Sequence, residues 1–373
     1  GYTPEDVANK QNNLVVDGTG ARYGTVDAIN AGLGLVDTKI ARLYKRTIAQ
    51  IRALSGDLSN INFYTTDLGQ EGNWYYDSTD TASADNTGTV LVTSDGKRIK
   101  RVLSYFVRPE FFGAKGDNST DDSTAIQSAM NFYSASAKKG TVQFSGKTYK
   151  INAPLVIDVA YVSIEGNGAR LNAKTLVGTQ AITVTGSVSP PYFQATSFIK
   201  GIEVEGDFRG VEGEGGFMPG TVIGIRFNTN TTNTNGPSHL LVQNISVYGF
   251  AKGLSFEDRA YIINFNSCDI FRNDTGVFSP AVVNDGGERL TFTGCTFYNS
   301  RLAVSVANPN AGWHFTACSF DYNLKQFNIE SAKVFLSQCH IEAGTYPTSP
   351  ITLTGNGSTF SMIGGIMLQS SVA

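Results

Sequence analysis

Apolar and polar positions alternate over five short segments between residues 240 and 341, and one tight bend interrupts each segment. Each segment therefore predicts two short strands whose alternate side chains face a common interior. The segments are 240–247 (LLVQNISV), 263–270 (INFNSCDI), 290–297 (LTFTGCTF), 313–320 (WHFTACSF) and 334–341 (VFLSQCHI). A repeat of about 20 to 30 residues built from strand-like units is typical of a solenoid of stacked coils. We therefore expect a solenoid.

Four cysteines occupy the same position of this repeat, with steps of 27, 23 and 21 residues: Cys268, Cys295, Cys318 and Cys339. An even number of cysteines suits disulfides in a secreted protein. Side chains stacked in one column, about 4.8 Å apart, are however poorly oriented for the disulfide dihedral. We predict four buried, reduced thiols. No CxxC motif or Cys/His cluster occurs, so no metal site is predicted.

Three shorter segments precede the repeats. Residues 1–24 are polar and glycine-rich, and residues 56–106 contain short apolar runs between turn residues, which predict a small β module. Residues 25–55 predict a helical neck from heptad-like spacing of Val26, Ile29, Leu33, Val36, Ile40 and Leu43, continued after a register shift by Ile48, Ile51 and Leu54. Because Gly32 and Gly34 weaken this helix, a trimeric coiled coil is one alternative. A single amphipathic helix packed on its own domain is the other.

The solenoid domain is predicted to span residues 107–373. A turn at 111–118 precedes a capping helix near 121–136, with Thr120 or Asp121 as its N-cap. Such a helix covers the unpaired strand edges at the open end of a solenoid. Because the repeats continue to Met367, close to the last residue, we expect a domain truncated at its carboxyl end.

Composition excludes some classes of function. The net charge of −3 argues against nucleic acid and anionic membranes as partners. An apolar run of roughly 18 residues, which a membrane span requires, is absent, and so is a basic-then-apolar leader for Sec export. The chain has no serine-hydrolase elbow, phosphate loop or HExxH motif, and we predict no cofactor.

Several motifs resemble the start of the pectate-lyase-like superfamily, and more narrowly of bacteriophage tailspike and tail-fibre depolymerases. They are 112–117 (FGAKGD), the pair Asp121 and Asp122 before the helix, 140–144 (GTVQF) and 148–151 (TYKI). The resemblance covers most of residues 25–165 and, as architecture only, the repeats up to residue 367. It implies an all-β fold, a right-handed parallel β-helix preceded by a short helical neck and a small β module.

The same resemblance implies a homotrimeric virion protein, made in the host cytoplasm, that binds and usually cleaves bacterial surface polysaccharide (capsule or O-antigen). Residues 1–24 are then a virion-attachment peptide that joins the phage tail or an adaptor protein. The motif marks the fold and not the reaction. We therefore interpret Asp117, Asp121 and Asp122 as structural.

The repeat register places candidate catalytic groups on one outward face. Glycoside hydrolysis usually needs two carboxyl groups, about 5–5.5 Å apart for retention or about 6.5–9.5 Å for inversion. Three residues after the cysteine position, Asp321 and Glu342 fall on adjacent strands, and we predict them as the catalytic pair, an acid beside a base or nucleophile. The predicted substrate-binding residues on the same face are Tyr248, Asp269, Phe271, Tyr298 and His340. The alternative is two solvated carboxylates on a plain face.

A second acidic set consists of Glu203, Glu205 and Asp207 in residues 202–207 (IEVEGD). The alternation places the two glutamates outward, roughly 7 Å apart. Glu212 and Glu214 follow in a glycine-rich insertion that would form one wall of a glycan groove. The alternative is a solvated loop.

Three functions remain open from the sequence. The first is an endo-acting glycoside hydrolase that depolymerises a surface glycan. The second is a polysaccharide lyase acting on a uronate-containing glycan. The third is a non-catalytic receptor-binding or adaptor fibre.

Overall fold

The computed structural model describes residues 42–59, 61–188, 197–207, 222–229, 235–281, 284–343 and 350–369. The chain divides between Val102 and Leu103 into two compact units, a few residues before the predicted boundary at 106/107. Within the described ranges, no helix has both the length and the apolar character needed to cross a membrane.

Over its described residues, 42–59 and 61–102, the first unit is a five-stranded sheet with one short helix. Its elements are β1 (Arg42–Arg46), α1 (Ile48–Arg52), β2 (Ile61–Thr65), β3 (Gly72–Asp77), β4 (Val90–Val92) and β5 (Arg98–Arg101). The strand order is β1-β2-β3-β5-β4, with β1 and β2 parallel and the other neighbours antiparallel. Trp74 is fully buried here, and the Arg101 guanidinium lies 4.4 Å from the centroid of its ring.

The helical neck predicted for residues 25–55 is wrong over its described part. Residues 42–46 form strand β1, and the only helix is the five-residue α1, which a Thr47–Gln50 capping box begins. Ile48 and Ile51 are buried in the core of this unit, so their spacing reflects packing on the chain's own sheet. Residues 1–41 lie outside the described residues.

The second unit is a right-handed parallel β-helix, which confirms the predicted fold class. It starts with β6 (Phe106–Val107), a 3₁₀ helix (Pro109–Phe112), β7 (Asp117–Asp121) and α2 (Ser123–Ala135). Helix α2 buries its apolar face on the first coils, in the region where the capping helix is predicted.

The aspartates before α2 accept hydrogen bonds from backbone N–H groups, which agrees with the structural role predicted for them. Asp122 accepts hydrogen bonds from the N–H groups of Lys115 (2.7 Å) and Gly116 (2.9 Å), and Asp117 accepts from Thr120 (2.7 Å). The N-cap position is Asp122 rather than Thr120 or Asp121.

Three parallel ladders of strands, sheets I, II and III, form the wall of the β-helix, and one strand from each makes one coil. Sheet I contains β6, β8 (Gly140–Gln143), the first parts of β11 (Val162–Asn172) and β13 (Phe198–Glu205), β15 (Ser238–Gln243), β18 (Tyr261–Asn266), β21 (Leu290–Thr293), β24 (Gly312–Thr316), β27 (Lys333–Ser337) and β30 (Thr359–Ile363). Sheet II contains β7, β9 (Thr148–Lys150), the last parts of β11 and β13, β16 (Ser246–Tyr248), β19 (Asp269–Phe271), β22 (Thr296–Tyr298), β25 (Ser319–Asn323), β28 (His340–Ala343) and β31 (Ile366–Gln369). Sheet III contains β10 (Leu155–Asp158), β12 (Gln180–Thr185), β14 (Ile223–Phe227), β17 (Lys252–Phe256), β20 (Thr275–Ser279), β23 (Leu302–Val306), β26 (Lys325–Glu330) and β29 (Ile351–Thr354).

One residue in the left-handed conformation makes the bend between sheets I and II in each repeat. These residues have φ values between 50° and 68°: Asn244, Ser267, Gly294, Ala317, Gln338 and Gly364. A single left-handed residue turns the chain without a loop, so the two strands of each predicted segment stay in step with those of the next coil.

The core lies inside the coils and consists largely of stacked rings. Phe292 stacks between Phe265 and Phe315, with ring centroids 4.7 and 4.8 Å away. Trp313 is fully buried, and its indole N–H donates to the Gly287 carbonyl at 3.2 Å.

The four cysteines are free and buried, as predicted. The backbone N–H of Cys268 donates to the Cys295 sulfur at 3.4 Å, so the column is in contact. A hydrogen bond with the Cys295 thiol, together with burial, raises the pKa of Cys268 above its ordinary range. Hydrogen bonds with Cys295 and Cys339, and burial, do the same for Cys318. These two thiols are therefore poor nucleophiles.

We expect all four thiols to resist a small thiol-specific reagent in the native protein and to react quickly after denaturation. The reason is burial, which denies the reagent access to all four sulfur atoms. Mass spectrometry of the protein labelled with and without denaturant measures this difference. Rapid labelling of the native protein would contradict a closed coil at this position.

Candidate active site

The outward side chains of sheet II form two parallel columns, and we call this surface the sheet II face. The pairing of Tyr248 with Phe271, Phe271 with Tyr298 and Tyr298 with Asp321 builds the first column. The second column runs through Ser246, Asp269, Thr296, Ser319 and His340. The two columns therefore keep the predicted register as far as Asp321 and His340.

Asp321, His340 and Glu342 meet at one end of this face. One ligand atom from each lies within 4.8 Å of the others, and His340 Nε2 is 3.8 Å from Asp321 Oδ1. The Ser319 hydroxyl is 2.9 and 2.7 Å from the two oxygens of Asp321. All three groups are half-buried. The cluster combines two carboxylates, an imidazole and a hydroxyl, which suits proton transfer or nucleophilic attack.

The same three side chains offer the oxygen and nitrogen atoms that a divalent metal ion binds. The sequence predicts no metal site, and this stays a prediction.

A register shift separates Asp321 from Glu342. The strands β25 and β28 pair Phe320 with Ile341 and next pair Asn323 with Ala343. Asp321 and Tyr322 therefore both stand opposite Glu342, as in a β-bulge. The sequence predicted that the two carboxylates stand directly opposite each other on aligned strands. The structure differs by this bulge.

Buried amides hold the bulge. Gln326 is fully buried, and its Nε2 donates to the Glu342 carbonyl at 2.8 Å. Asn323 Nδ2 donates to Gln326 Oε1 at 2.9 Å and to the Phe297 carbonyl at 2.8 Å. Asn273 plays a related role two coils earlier, where its Nδ2 donates to the Val247 carbonyl at 3.1 Å. These amides satisfy backbone carbonyls, and Gln326, held by Asn323, fixes the main chain that carries Glu342.

Tyr248, Phe271 and Tyr298 form a continuous stack, which we call the aromatic strip. Adjacent ring centroids are 4.6 Å apart, with interplanar angles of 18° and 5°. The rings cover one another's faces, so the strip presents mainly ring edges to its surroundings. It supplies a rigid, half-buried floor beside the carboxylates.

Asp269 is not close to the cluster. It lies on the rung of Phe271, two coils before Asp321, which is about 10 Å away along the sheet. Although the sequence places Asp269 in the same column as His340, its carboxylate therefore does not lie close to the catalytic pair. Burial is the largest influence on its carboxyl group and raises its pKa above the ordinary value.

The second acidic set is ion-paired at the other end of the sheet II face. Arg170 Nε lies 2.8 Å from Glu203, and Lys174 Nζ lies 2.5 Å from Glu205. The Tyr248 hydroxyl donates to Glu203, and burial followed by this hydrogen bond raises the pKa of Tyr248. Glu205 lies in the outward column that contains Tyr248, but it is only 9% exposed. Because basic groups compensate these carboxylates, this set is poorly suited to act as an acid–base pair.

Asp207 is exposed in a bend after β13. Glu212 and Glu214 lie outside the described residues. The predicted wall formed by this insertion is therefore not described.

Sequence reasoning assigned no role to Ser319, Gln326 or Tyr322. Ser319 stands in the outward column, and a hydroxyl two residues before a predicted catalytic aspartate is a usable signal. Gln326 and Tyr322 belong to a bulge that alternation alone does not reveal. One departure is visible in the sequence: the fifth residue after the cysteine is Asn273, Ser300 and Asn323 in the first three repeats and Gly344 in the fourth.

Comparison with known proteins agrees with this architecture. Residues 110–330 match the family model of rhamnogalacturonase A/epimerase, pectate lyase-like proteins. The chain belongs to this family. Residues 45–104 match the model of the phage tail protein small four-stranded β-sheet domain. The pectate lyase-like match thus includes Asp321 and ends before His340 and Glu342.

Two curated relatives are capsule depolymerases. One is the K2-specific capsule depolymerase of Klebsiella phage vB_KpnP_KpV74, 25% identical over 338 residues, which are 85% of this chain and 56% of that protein. The other is depolymerase 1 of Klebsiella phage K5-2, specific for capsules K30/K69, 37% identical over 91 residues, which are 23% of this chain and 11% of that protein. The chain thus spans about half the length of the first of these relatives.

A solved structure has the same fold. The enzymatically active domain of tailspike protein 4 of bacteriophage CBA120 has a TM-score of 0.69 to this pectate lyase-like chain at 17% identity. The match covers 94% of this chain and 49% of that one. At this identity the likeness concerns the fold.

Proposed function

We propose that this chain is part of a phage tailspike that binds and depolymerises a bacterial surface polysaccharide by glycoside hydrolysis. The observation that carries the proposal is the meeting of Asp321, His340 and Glu342 at one end of the sheet II face, beside the aromatic strip. A linear face flanked by carboxylates suits an extended glycan, since the strip and the cluster together follow successive coils.

Asp321 and Glu342 are the proposed catalytic pair. Ligand atoms of the cluster lie within 4.8 Å of one another, which is closer to the roughly 5–5.5 Å of retaining enzymes than to the wider spacing of inverting ones. Asp321 is assigned as the nucleophile, because Ser319 and His340 lie beside its oxygens. Glu342 then protonates the leaving glycosidic oxygen, and later takes a proton from the water that releases the glycosyl-enzyme.

The relatives support the substrate class and the setting. The names of two curated relatives specify capsules, and the matching structure is a phage tailspike. We accordingly propose a virion tail component that acts as a homotrimer and joins the tail or an adaptor through its N-terminal region. Tyr248, Phe271, Tyr298 and His340 are proposed to line the bound glycan. Asp269 is proposed as a more distant contact.

A polysaccharide lyase is the second candidate, and His340 is the observation that favours it. An imidazole beside two carboxylates offers a base for removing the proton α to a uronate carboxylate. A lyase leaves an unsaturated sugar that absorbs ultraviolet light, whereas a hydrolase does not.

A reducing-end assay against a panel of purified capsules and O-antigens tests the function. New reducing ends with a fall in molecular mass, and without ultraviolet absorbance, are the expected result. Products that absorb would indicate the lyase instead. Binding without any fall in mass would overturn both enzyme proposals and indicate a receptor-binding fibre.

A further inference from the structure

Tyr322 is an exposed aromatic residue at the register shift beside the candidate catalytic pair. Tyr322 directly follows Asp321, and 48% of its surface is exposed. Its backbone is in the left-handed conformation, with φ of 56°. A bulky non-glycine residue adopts this conformation at a cost in free energy. Because about half of Tyr322 stays exposed, its burial in the core does not account for an aromatic residue at this position.

The equivalent turn position in the three preceding coils is not aromatic. Gly249, Arg272 and Asn299 occupy it, with φ values of 82°, 49° and 53°. Glycine and asparagine are the usual residues for this conformation, and neither presents a ring. The aromatic residue thus coincides with the one coil that carries Asp321.

The register shift determines which residue of the next strand Tyr322 stands opposite. In the coils with aligned strands, the backbone N–H of the turn residue donates to the next coil, as Arg272 does to the Tyr298 carbonyl at 3.1 Å. At Glu342, the buried Gln326 side chain donates to the corresponding carbonyl. Tyr322 thereby stands, with Asp321, opposite Glu342.

The chemistry of sugar binding also favours Tyr322 over the aromatic strip. Sugar C–H groups pack on the face of an aromatic ring, and the rings of the strip already cover each other's faces. Among the described residues, no aromatic ring is recorded in contact with Tyr322. Its ring is therefore an exposed apolar surface on the same rung as the carboxylates.

We propose that Tyr322 is a substrate-binding residue whose ring packs on the sugar unit next to the bond that is cleaved. The inference rests on the proposed glycan-cleaving function of Asp321 and Glu342, and it names a contact that this function does not require. Because such packing is present in both the bound substrate and the transition state, its loss affects KM rather than kcat.

The test compares steady-state kinetics of the full chain and its variants on the capsule that the wild-type protein cleaves. Tyr322→Asn removes the ring and inserts the residue that Asn299 already provides at this turn, so folding should be retained. We expect KM to rise by roughly three- to ten-fold, the size of a typical aromatic packing contribution, with kcat within about two-fold. Tyr322→Phe keeps the ring and should resemble the wild type.

Tyr105→Asn is the matched control, because Tyr105 is 96% exposed in the segment that precedes β6. It should change neither constant. Equal KM values for wild type and Tyr322→Asn would overturn the inference and leave the proposed function intact. A loss of kcat without change in KM would also overturn it. Absence of cleavage by the wild type on every capsule of the panel would overturn the proposed function and this inference with it.

Discussion

Asp321→Asn and Glu342→Gln are each expected to lower the rate of capsule cleavage by roughly a thousand-fold or more, the usual contribution of an acid, base or nucleophile. Both replacements are nearly isosteric and remove only the charge or the transferable proton. Because both side chains are half-buried on the surface of sheet II, neither change leaves a cavity in the core. The reducing-end assay measures the rate, and capsule retention on immobilised protein measures binding.

Glu330→Gln is the matched control for these variants. Glu330 is an exposed carboxylate at the end of β26 in sheet III, on a different ladder from the candidate site. It should keep wild-type activity. Full activity of Asp321→Asn or of Glu342→Gln would show that the carboxylates are only solvated surface groups. Activity that a chelator abolishes would instead indicate a metal held by Asp321, His340 and Glu342.

The β-helix was predictable because the same pattern of buried side chains and bend residues recurs in each repeat. A buried column such as Phe265, Phe292 and Phe315 recurs at the same position of each segment, and alternation alone assigns these rings to the interior. A left-handed bend residue holds each coil in step with the next. Residues equivalent in the repeat therefore become neighbours in space, and this is why Asp321 and Glu342 could be brought together from the sequence.

The details of the candidate site were less predictable, because they depend on departures from the repeat. The bulge at Asp321 and Tyr322 depends on the buried amide of Gln326, which lies on the next strand. The neutralisation of Glu203 and Glu205 depends on Arg170 and Lys174, whose strand and turn are two segments away in the sequence. Neither contact follows from periodicity.

The five-stranded unit illustrates a different limit. The spacing of Ile48 and Ile51 fits a coiled coil as well as a short helix on a sheet, since both bury one apolar face. The pairing of β1 with β2 decided the outcome, because residues 42–46 join the sheet edge. A spacing of three or four residues shows that one face is apolar. It does not show whether another chain or the chain's own sheet covers that face.

Phe292→Ala is expected to destabilise the β-helix by about 3–5 kcal/mol. Phe292 is 1% exposed and stacks between Phe265 and Phe315, so truncation removes apolar burial and leaves a cavity that the rigid coils fill only in part. Each coil of a solenoid contacts only its neighbours, so the loss weakens the interfaces on both sides of strand β21.

Denaturant unfolding of the variant and the wild type measures the change, with Phe335→Ala as the matched control. Phe335 lies on the outer surface of sheet I and is partly buried, with its ring centroid 5.0 Å from that of His314. Truncation of Phe335 should therefore lower the free energy of unfolding by less than about 1 kcal/mol. Thiol labelling adds a local measurement, since loosened coils on both sides of β21 should expose Cys268, Cys295 and Cys318 before Cys339. Equal losses of stability in the two variants would contradict an interior column at Phe292. The aromatic interior would then not be what holds the coils, and the carboxylates they carry, in register.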